Sequence, residues 1–290
     1  MIDLHTHSTV SDGSEAPERI PEMAAAAGCS AVALTDHDNL AGLGRAAQAA
    51  ERVGVRLVPG CEVSCTKPAP PPGSGPVSGS VHVLVYFVED GAGPLQSELA
   101  ILRADRAERN HKLLERLREL GVEIDYAQVV AEAGGEEGLG RPHFARALVR
   151  AGAAADIDDA FGRWLADGRP AYVPKARITA FEVARLARAS GGVAVLAHPL
   201  SLGLEQRALE HLVAEMAESG MGGVESYYGR YGPEERKQLA AIAGRHGLVA
   251  TGGSDYHGTF KPDLEVGTGT GDLRVPDEVL EALEERAKKA

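Results

Sequence analysis

Short apolar runs alternate with Ala-rich, helix-forming segments along most of the chain. Seven runs read as strands: Ile2 to Leu4, Ala31 to Leu34, Arg56 to Val58, Val81 to Val88, Val193 to Ala197, Gly223 to Glu225 and Leu248 to Ala250. Ala16 to Ala27, Leu40 to Val53, Ala180 to Ala189, Glu205 to Glu218 and Pro233 to His246 have helical composition. Most of these are closed by a glycine just beyond the end, at Gly28, Gly54, Gly191, Gly220 and Gly247. Strand, helix, glycine, strand in repetition predicts parallel βα units and an α/β fold.

The repeat breaks off between about Pro94 and Lys175. Leu95 to Leu120 reads as one long charged helix, with Leu99, Leu102, Arg106, Leu113, Leu117 and Leu120 at roughly helical spacing. Shorter helices are expected at Tyr126 to Ala133, Phe144 to Ala151 and Asp156 to Ala166. The chain therefore divides into a first barrel part (1–93), a helical insertion (94–175) and a second barrel part (176–290). Thr66 to Ser80, rich in Pro, Gly and Ser, is expected to be a mobile surface loop. It joins Glu62-Val63-Ser64-Cys65 to Val81-His82-Val83-Leu84-Val85 in a predicted hairpin above the barrel rim, which explains why His82 begins its strand. Pro276 to Ala290 reads as a terminal amphipathic helix.

The polar residues fall in a consistent place. His5 and His7, Asp36 and His37, Glu62, His198, and Asp255 and His257 all stand just past the C-terminal end of a predicted strand. In a closed parallel barrel those ends converge on one face, where such enzymes carry their active sites. His5 and His7, one residue apart, point the same way and form a chelating pair. A lone histidine at a strand end is more often a satisfied polar residue than a ligand, but eight such residues at five strand ends describe a pocket. Imidazoles and carboxylates together suit Zn²⁺, Mn²⁺ or Fe²⁺, with Glu62 and Asp255 the candidates for bridging two ions. Two or three ions about 3.5 to 4 Å apart would bind phosphate oxygens and acidify a bridging water, so phosphate-ester hydrolysis is the expected chemistry. Asp12, in Ser11-Asp12-Gly13, is a further ligand candidate, with a turn role as the alternative. Asp38 is expected to orient a neighbouring histidine. Glu225, also at a strand end, is as readily a ligand as not.

His111, His211 and His246 lie in helical patterns and read as surface or packing residues. Gly140-Arg141-Pro142-His143 starts a helix from which Arg141 can clamp a phosphate; Lys175, where the chain returns to the barrel, adds a second cation. Surface salt bridges are the alternative for both. Cys61 has no paired base and reads as packing. Gly252-Gly253-Ser254 and Gly267-Thr268-Gly269-Thr270-Gly271 fit neither the dinucleotide nor the P-loop pattern.

Length and composition narrow the classes. The 290 residues, 44% hydrophobic and 4% aromatic, suit one barrel or two ordinary domains packed by small aliphatics. The formal charge of −12 disfavours a broad basic surface for nucleic-acid backbones, whereas several bound cations would reverse the local sign for a small anionic substrate. Cys29, Cys61 and Cys65 make no disulfide framework, and no long apolar run occurs, so a cytoplasmic protein without a membrane or an obligate protein partner is expected.

As a set, His5-Thr6-His7-Ser8 with Ser11-Asp12-Gly13, Thr35-Asp36-His37-Asp38, Pro59-Gly60-Cys61-Glu62, His82, Ala197-His198-Pro199 and Gly253-Ser254-Asp255-Tyr256-His257 resemble the polymerase-and-histidinol-phosphatase (PHP) superfamily, in order and over essentially the whole chain. The resemblance implies a distorted, TIM-like barrel of seven βα units with a trinuclear site. One ion would take His5, His7, Glu62 and Asp255, a second Glu62, His82 and His198, and a third Asp12, His37 and His257. It moves Asp36 out of the ligand set, to a supporting place beside His37. The Pro-rich loop and Cys61, where an aliphatic residue is more usual, depart from the pattern without removing a ligand. Gly-Arg-Pro-His and the later Pro-Lys resemble a bacterial branch that includes 3',5'-nucleoside bisphosphate phosphatases and 5'-to-3' RNA exonucleases. By that likeness Arg141, His143 and Lys175 would hold substrate phosphate.

The expected enzyme is a phosphoesterase with two to three divalent ions, Mn²⁺ first and Fe²⁺ or Zn²⁺ as alternatives. Through a hydroxide bridging two ions it would remove the 3'-phosphate of a nucleoside 3',5'-bisphosphate, leaving the 5'-phosphate. His143 or a metal-bound water would protonate the leaving group. The rival readings are an exoribonuclease on short RNA, a histidinol-phosphate phosphatase and a non-catalytic PHP module.

Overall fold

The computed structural model describes residues 1–136 and 138–289. Glu137, inside the predicted insertion, and Ala290, the end of the predicted terminal helix, lie outside the described residues. Seven strands form one sheet in chain order: β1 (Ile2–Asp3), β2 (Ala31–Leu34), β3 (Arg56–Cys65), β4 (Val81–Tyr86), β5 (Val193–Leu196), β6 (Gly223–Tyr228) and β7 (Val249–Gly253). The sheet curls into a nearly closed barrel, whose seam is drawn together where the Leu4 N–H donates to the Gly252 carbonyl at 3.1 Å. The helices are α1 (Arg19–Ala26), α2 (Leu43–Val53), α3 (Pro94–Glu119), α4 (Tyr126–Ala133), α5 (Arg141–Arg150), α6 (Ile157–Ala160), α7 (Ala180–Ala189), α8 (Gln206–Glu218), α9 (Pro233–Arg245) and α10 (Glu278–Lys289). Among the described residues, no helix is long and apolar enough to cross a membrane.

All seven predicted strands are present, but the expectation of uniformly parallel βα units fails at β4. β4 runs antiparallel to both β3 and β5, while the remaining pairs are parallel. The predicted hairpin is thus part of the barrel wall rather than a ribbon above the rim. β3 is also longer than predicted, because its upper half gains a ladder partner in β4. The Pro-rich loop at its tip is fastened to the body: Val77 is buried and the Ser78 N–H donates to the Leu202 carbonyl at 3.0 Å.

Alternation along the strands separates two apolar layers. Val32, Leu34, Cys61, Val63, Val83 and Val85 face outwards against the helices. Leu4, Ala33, Val58, Leu84, Tyr86 and Val195 share a second cluster inside the barrel, which Leu280 and Leu283 of α10 also join. The same period carries Glu62 inwards on β3 and His82 inwards on β4, on the level above that filling.

The reversed β4 sets the next step. It ends at the bottom of the barrel, so α3 must carry the chain back to the rim; at about 1.5 Å per residue its 26 residues span about 39 Å. Leu95, Leu99 and Leu102 pack on the barrel core, whereas Leu113, Leu114 and Leu117 join a separate cluster with Phe144, Leu148 and Leu165. Between these two halves α3 buries Arg106, Arg109 and Asn110.

The seam has a specific requirement. Asp3 is fully buried, and one oxygen accepts the His5 and Ser254 N–H groups at 3.2 and 2.9 Å while the other accepts that of Gly267 at 2.7 Å. β7 approaches so closely that a side-chain carbon at Gly253 would overlap the His5 backbone nitrogen. Gly253→Ala is therefore expected to destabilise the fold by about 1–3 kcal/mol, the usual cost of overpacking. Urea unfolding measures this, and an unchanged midpoint would contradict so close a seam.

Candidate metal centre

The Thr6 hydroxyl donates to the Ala33 carbonyl at 2.6 Å, and alternation along the chain sends the flanking His5 and His7 rings to the opposite side. Their Nε2 atoms lie 3.1 Å apart. Glu62 Oε2 stands 3.2 and 3.1 Å from these two nitrogens, and Asp255 Oδ1 stands 3.4 and 3.5 Å from them. On its other oxygen, Glu62 meets His82 Nδ1 at 3.0 Å and His198 Nε2 at 2.9 Å; those two nitrogens are 3.2 Å apart. His37 Nδ1 lies 3.3 Å from Glu62 Oε2, and Asp12 Oδ1 lies 3.3 Å from His257 Nε2.

These contacts bring all nine metal candidates together. Three groups have one donor atom each within 4.8 Å of one another: His5, His7, Glu62 and Asp255; His37, Glu62 and His82; and His7, Asp12, His37 and His257. His198 meets Glu62 and His82 without belonging to a group. The donor chemistry fits a divalent cation, since lone pairs of neighbouring imidazoles and carboxylates converge. Asp12 Oδ1 and His37 Nδ1 are buried with no hydrogen-bond partner among the described residues, which a cation would remedy. The electrostatics agree. Burial opposes charge on His5 and His7, yet the carboxylates around them, Glu225 foremost for His5 and Asp255 for His7, raise both, His7 to about 9. The site calls for positive charge.

Backbone strain collects here. Asp38, His198 and Asp255 hold φ values of 53°, 28° and 57°, which non-glycine residues keep only when their surroundings over-determine them. Asp255 Oδ2 accepts from the Tyr228 hydroxyl at 2.7 Å and pairs with Lys261, leaving Oδ1 for the donor group.

Asp36 is a support, as expected, but of His7 instead of its chain neighbour His37: it accepts from the Ser8 N–H at 2.8 Å and from the Ser8 and Ser11 hydroxyls at 2.6 Å each, and the Ser11 hydroxyl lies 3.3 Å from His7 Nδ1. Asp38 orients no histidine: it accepts from the Ser64 N–H and Lys175 Nζ, both at 2.9 Å, and from Arg106. Its chain position beside His37 is misleading because the strained backbone turns its side chain towards the insertion. His246 caps the end of α9, and His111 and His211 are exposed.

A cavity of about 200 Å³ adjoins Asp12, His37 and His82, and Arg106, Arg109, Arg141, Lys175 and Arg177 line it. Arg141 donates to the Leu165 carbonyl at 3.3 Å, with its guanidinium 5.8 Å from the ring centres of Phe161 and Tyr172. Lys175 also reaches the Ser64 hydroxyl at 3.0 Å; burial, then the charge of Arg106, push its pKa down to about 7. His143 is off the cavity wall and fully buried, its Nδ1 accepting the Gly140 N–H at 3.0 Å. That bond puts its ring proton on Nε2, and burial lowers its pKa to about 4, so the ring is neutral.

Arg109 went unnoticed in the sequence. It is 5% exposed, its Nε and Nη1 have no partner among the described residues, and burial followed by Arg141 and Arg106 pushes its pKa down to about 9. The clue was an arginine at an inward position of the α3 leucine stripe: Arg106 occupied an apolar-spaced site without being apolar. A second opening of about 530 Å³ reaches Glu62, His82, His198 and Asp255 from another side, past Tyr228, Arg230, Tyr231 and Lys261. The Tyr228 and Tyr231 ring centres lie 4.7 Å apart.

Comparison with known proteins agrees with this architecture. The PHP domain model matches residues 3–138. The chain is 34% identical to a 3',5'-nucleoside bisphosphate phosphatase of Chromobacterium violaceum, over 92% of this chain and 90% of the relative. It is also 34% identical to the 5'-3' exoribonuclease Rnm of Escherichia coli, over 89% of this chain and 85% of that one. A solved structure from Bifidobacterium adolescentis, classed as a metal-dependent phosphoesterase, superposes with a TM-score of 0.85 at 32% identity, covering 98% of this chain and 96% of the other. Likeness of that extent, sustained through both halves of the barrel, makes this chain a member of the PHP domain family and a metal-dependent phosphoesterase.

Proposed function

We propose that the enzyme removes the 3'-phosphate from nucleoside 3',5'-bisphosphates, leaving nucleoside 5'-phosphate. The observation that carries this reading is the cationic cavity directly beside the metal donors, which offers one place for a phosphate to be cleaved and another for a phosphate to be held. The nine donors hold two or three divalent ions, Mn²⁺ before Fe²⁺ or Zn²⁺. Such ions neutralise phosphoryl oxygens and lower the pKa of water.

The chain's own residues do the rest. Asp38 pairs with both Lys175 and Arg106, whereas Arg109, Arg141 and Arg177 pair with no carboxylate among the described residues and supply charge that holds the non-scissile phosphate. Tyr228 and Lys261 fix the Asp255 carboxylate. His143, behind the wall, holds the Gly140-Arg141 turn in place and is not the leaving-group acid in this proposal. The proposed partner is the small nucleotide itself, and the setting is the cytoplasm, in keeping with three free, buried cysteines.

A second reading, stepwise cleavage of short 5'-phosphorylated RNA, is favoured by the second opening. Its half-buried Tyr231, packed on the buried Tyr228, and the exposed Arg230 offer a stacking surface for a base beside the donors.

Three measurements test these readings. Mn²⁺-reconstituted protein given adenosine 3',5'-bisphosphate is expected to release 5'-AMP and phosphate, and His5→Ala none; turnover of RNA oligomers alone would reverse the order of the two readings. Arg109→Ala is expected to lower kcat/KM for the bisphosphate about 10- to 100-fold, the worth of a charge-assisted contact, mainly through KM. The same change removes a buried unpaired charge and should leave the melting temperature equal or higher; undiminished kcat/KM would remove Arg109 from the substrate site. Chelation should lower the melting temperature, and added Mn²⁺ should restore it. A melting curve indifferent to chelator and Mn²⁺ would count against tight metal binding by these nine residues.

A further inference from the structure

Glu225 belongs to none of the three donor groups, yet it is fully buried behind them, at 0% exposure. From β6 its Oε1 lies 2.8 Å from His5 Nδ1, and its Oε2 accepts the His198 backbone N–H at 2.7 Å. These partners serve opposite oxygens of Glu62: His5 Nε2 faces Oε2, and His198 Nε2 faces Oε1. His198 is also one of the residues held at positive φ, and its strained peptide is the one Glu225 grips.

We propose that Glu225 is a positioning residue that ties together the two metal subsites flanking Glu62, through His5 on one side and the His198 backbone on the other. This rests on the reading of the nine residues as metal donors. The argument is one of hydrogen-bond capacity. The His198 N–H can only donate, and His5 must keep its proton on Nδ1 so that the Nε2 lone pair faces His7, Glu62 and Asp255. Two donors need two acceptors, which a carboxylate supplies. Glutamine has the same size but one accepting and one donating end. In Glu225→Gln the amide must either oppose the His198 N–H with its own N–H or drive the His5 proton to Nε2, where it blocks the lone pair.

Mn²⁺ titration of the full chain by calorimetry, with metal content measured after gel filtration, tests this. Glu225→Gln is expected to fold but to bind Mn²⁺ about 10- to 100-fold more weakly, the usual effect of losing such a partner of a metal-bound histidine. Glu225→Asp, which retains two acceptors, should lose less. Unchanged affinity and stoichiometry in Glu225→Gln would overturn the proposal while leaving the donor reading intact. An unmodified protein that binds no Mn²⁺ would overturn both. Should Glu225→Gln not fold, ¹⁵N NMR of the unmodified Zn²⁺-loaded protein still decides: a His5 proton on Nδ1 supports the proposal, and one on Nε2 sinks it.

Discussion

The carboxylate of Glu62 is the constraint on which the site depends. It is buried, and five imidazoles face its two oxygens: His5, His7 and His37 on one, His82 and His198 on the other. A charge taken out of water at this depth is tolerable only in an organised polar surround. That surround exists because the β3–β4 register pairs Glu62 with Leu84, an interior residue, and Ser64 with His82. A slip by one residue would turn Glu62 to the outer face and scatter the rings. The tight seam at Gly253 and the Asp3 latch serve the same end, since they fix His5 and Asp255 against the carboxylate from the opposite wall.

The reversed strand links this centre to what surrounds it. A parallel β4 would have ended at the rim. Because it descends instead, α3 has to climb the outside of the barrel, and its middle passes the site between two apolar clusters. Arg106 and Arg109 are brought to the cavity by that climb, whereas Arg141 stands at the start of α5 and Arg177 where the chain returns to the barrel. Asp38, beside His37 in the chain, meets the cations there, binding Arg106 and Lys175. The place of His82 among the candidate donors and of Arg106 and Arg109 beside them is therefore a consequence of one topological irregularity.

Much of this was legible in the chain. All seven strands and the long helix were placed correctly, and the nine candidate donors do come together, because period-two apolar runs and strand-end histidines are local features. The direction of β4 was half visible: the hairpin was expected, but local pattern does not say whether a hairpin joins the wall. Asp38 was misassigned for a different reason: adjacency to His37 along the chain says little where a positive φ redirects the side chain. Arg109 was missed because a charged residue on a long helix ordinarily faces water, and only the second apolar cluster, made of distant segments, turns that face inwards. Glu225 stayed undecided since a strand-end carboxylate reads alike whether it meets a metal or the ring behind one.

The donors and the cavity cations come from separate stretches of chain. Every residue of the three donor groups, and His198 with them, lies in residues 5–82 or 198–257, whereas the five cavity cations fall between Arg106 and Arg177. On the proposed function, cleavage and selection of the held phosphate are thus written in different parts of one polypeptide, and change in the middle stretch would re-address the enzyme to another anion without disturbing the reacting centre, so that inheritance keeps the chemistry fixed while the choice of substrate drifts.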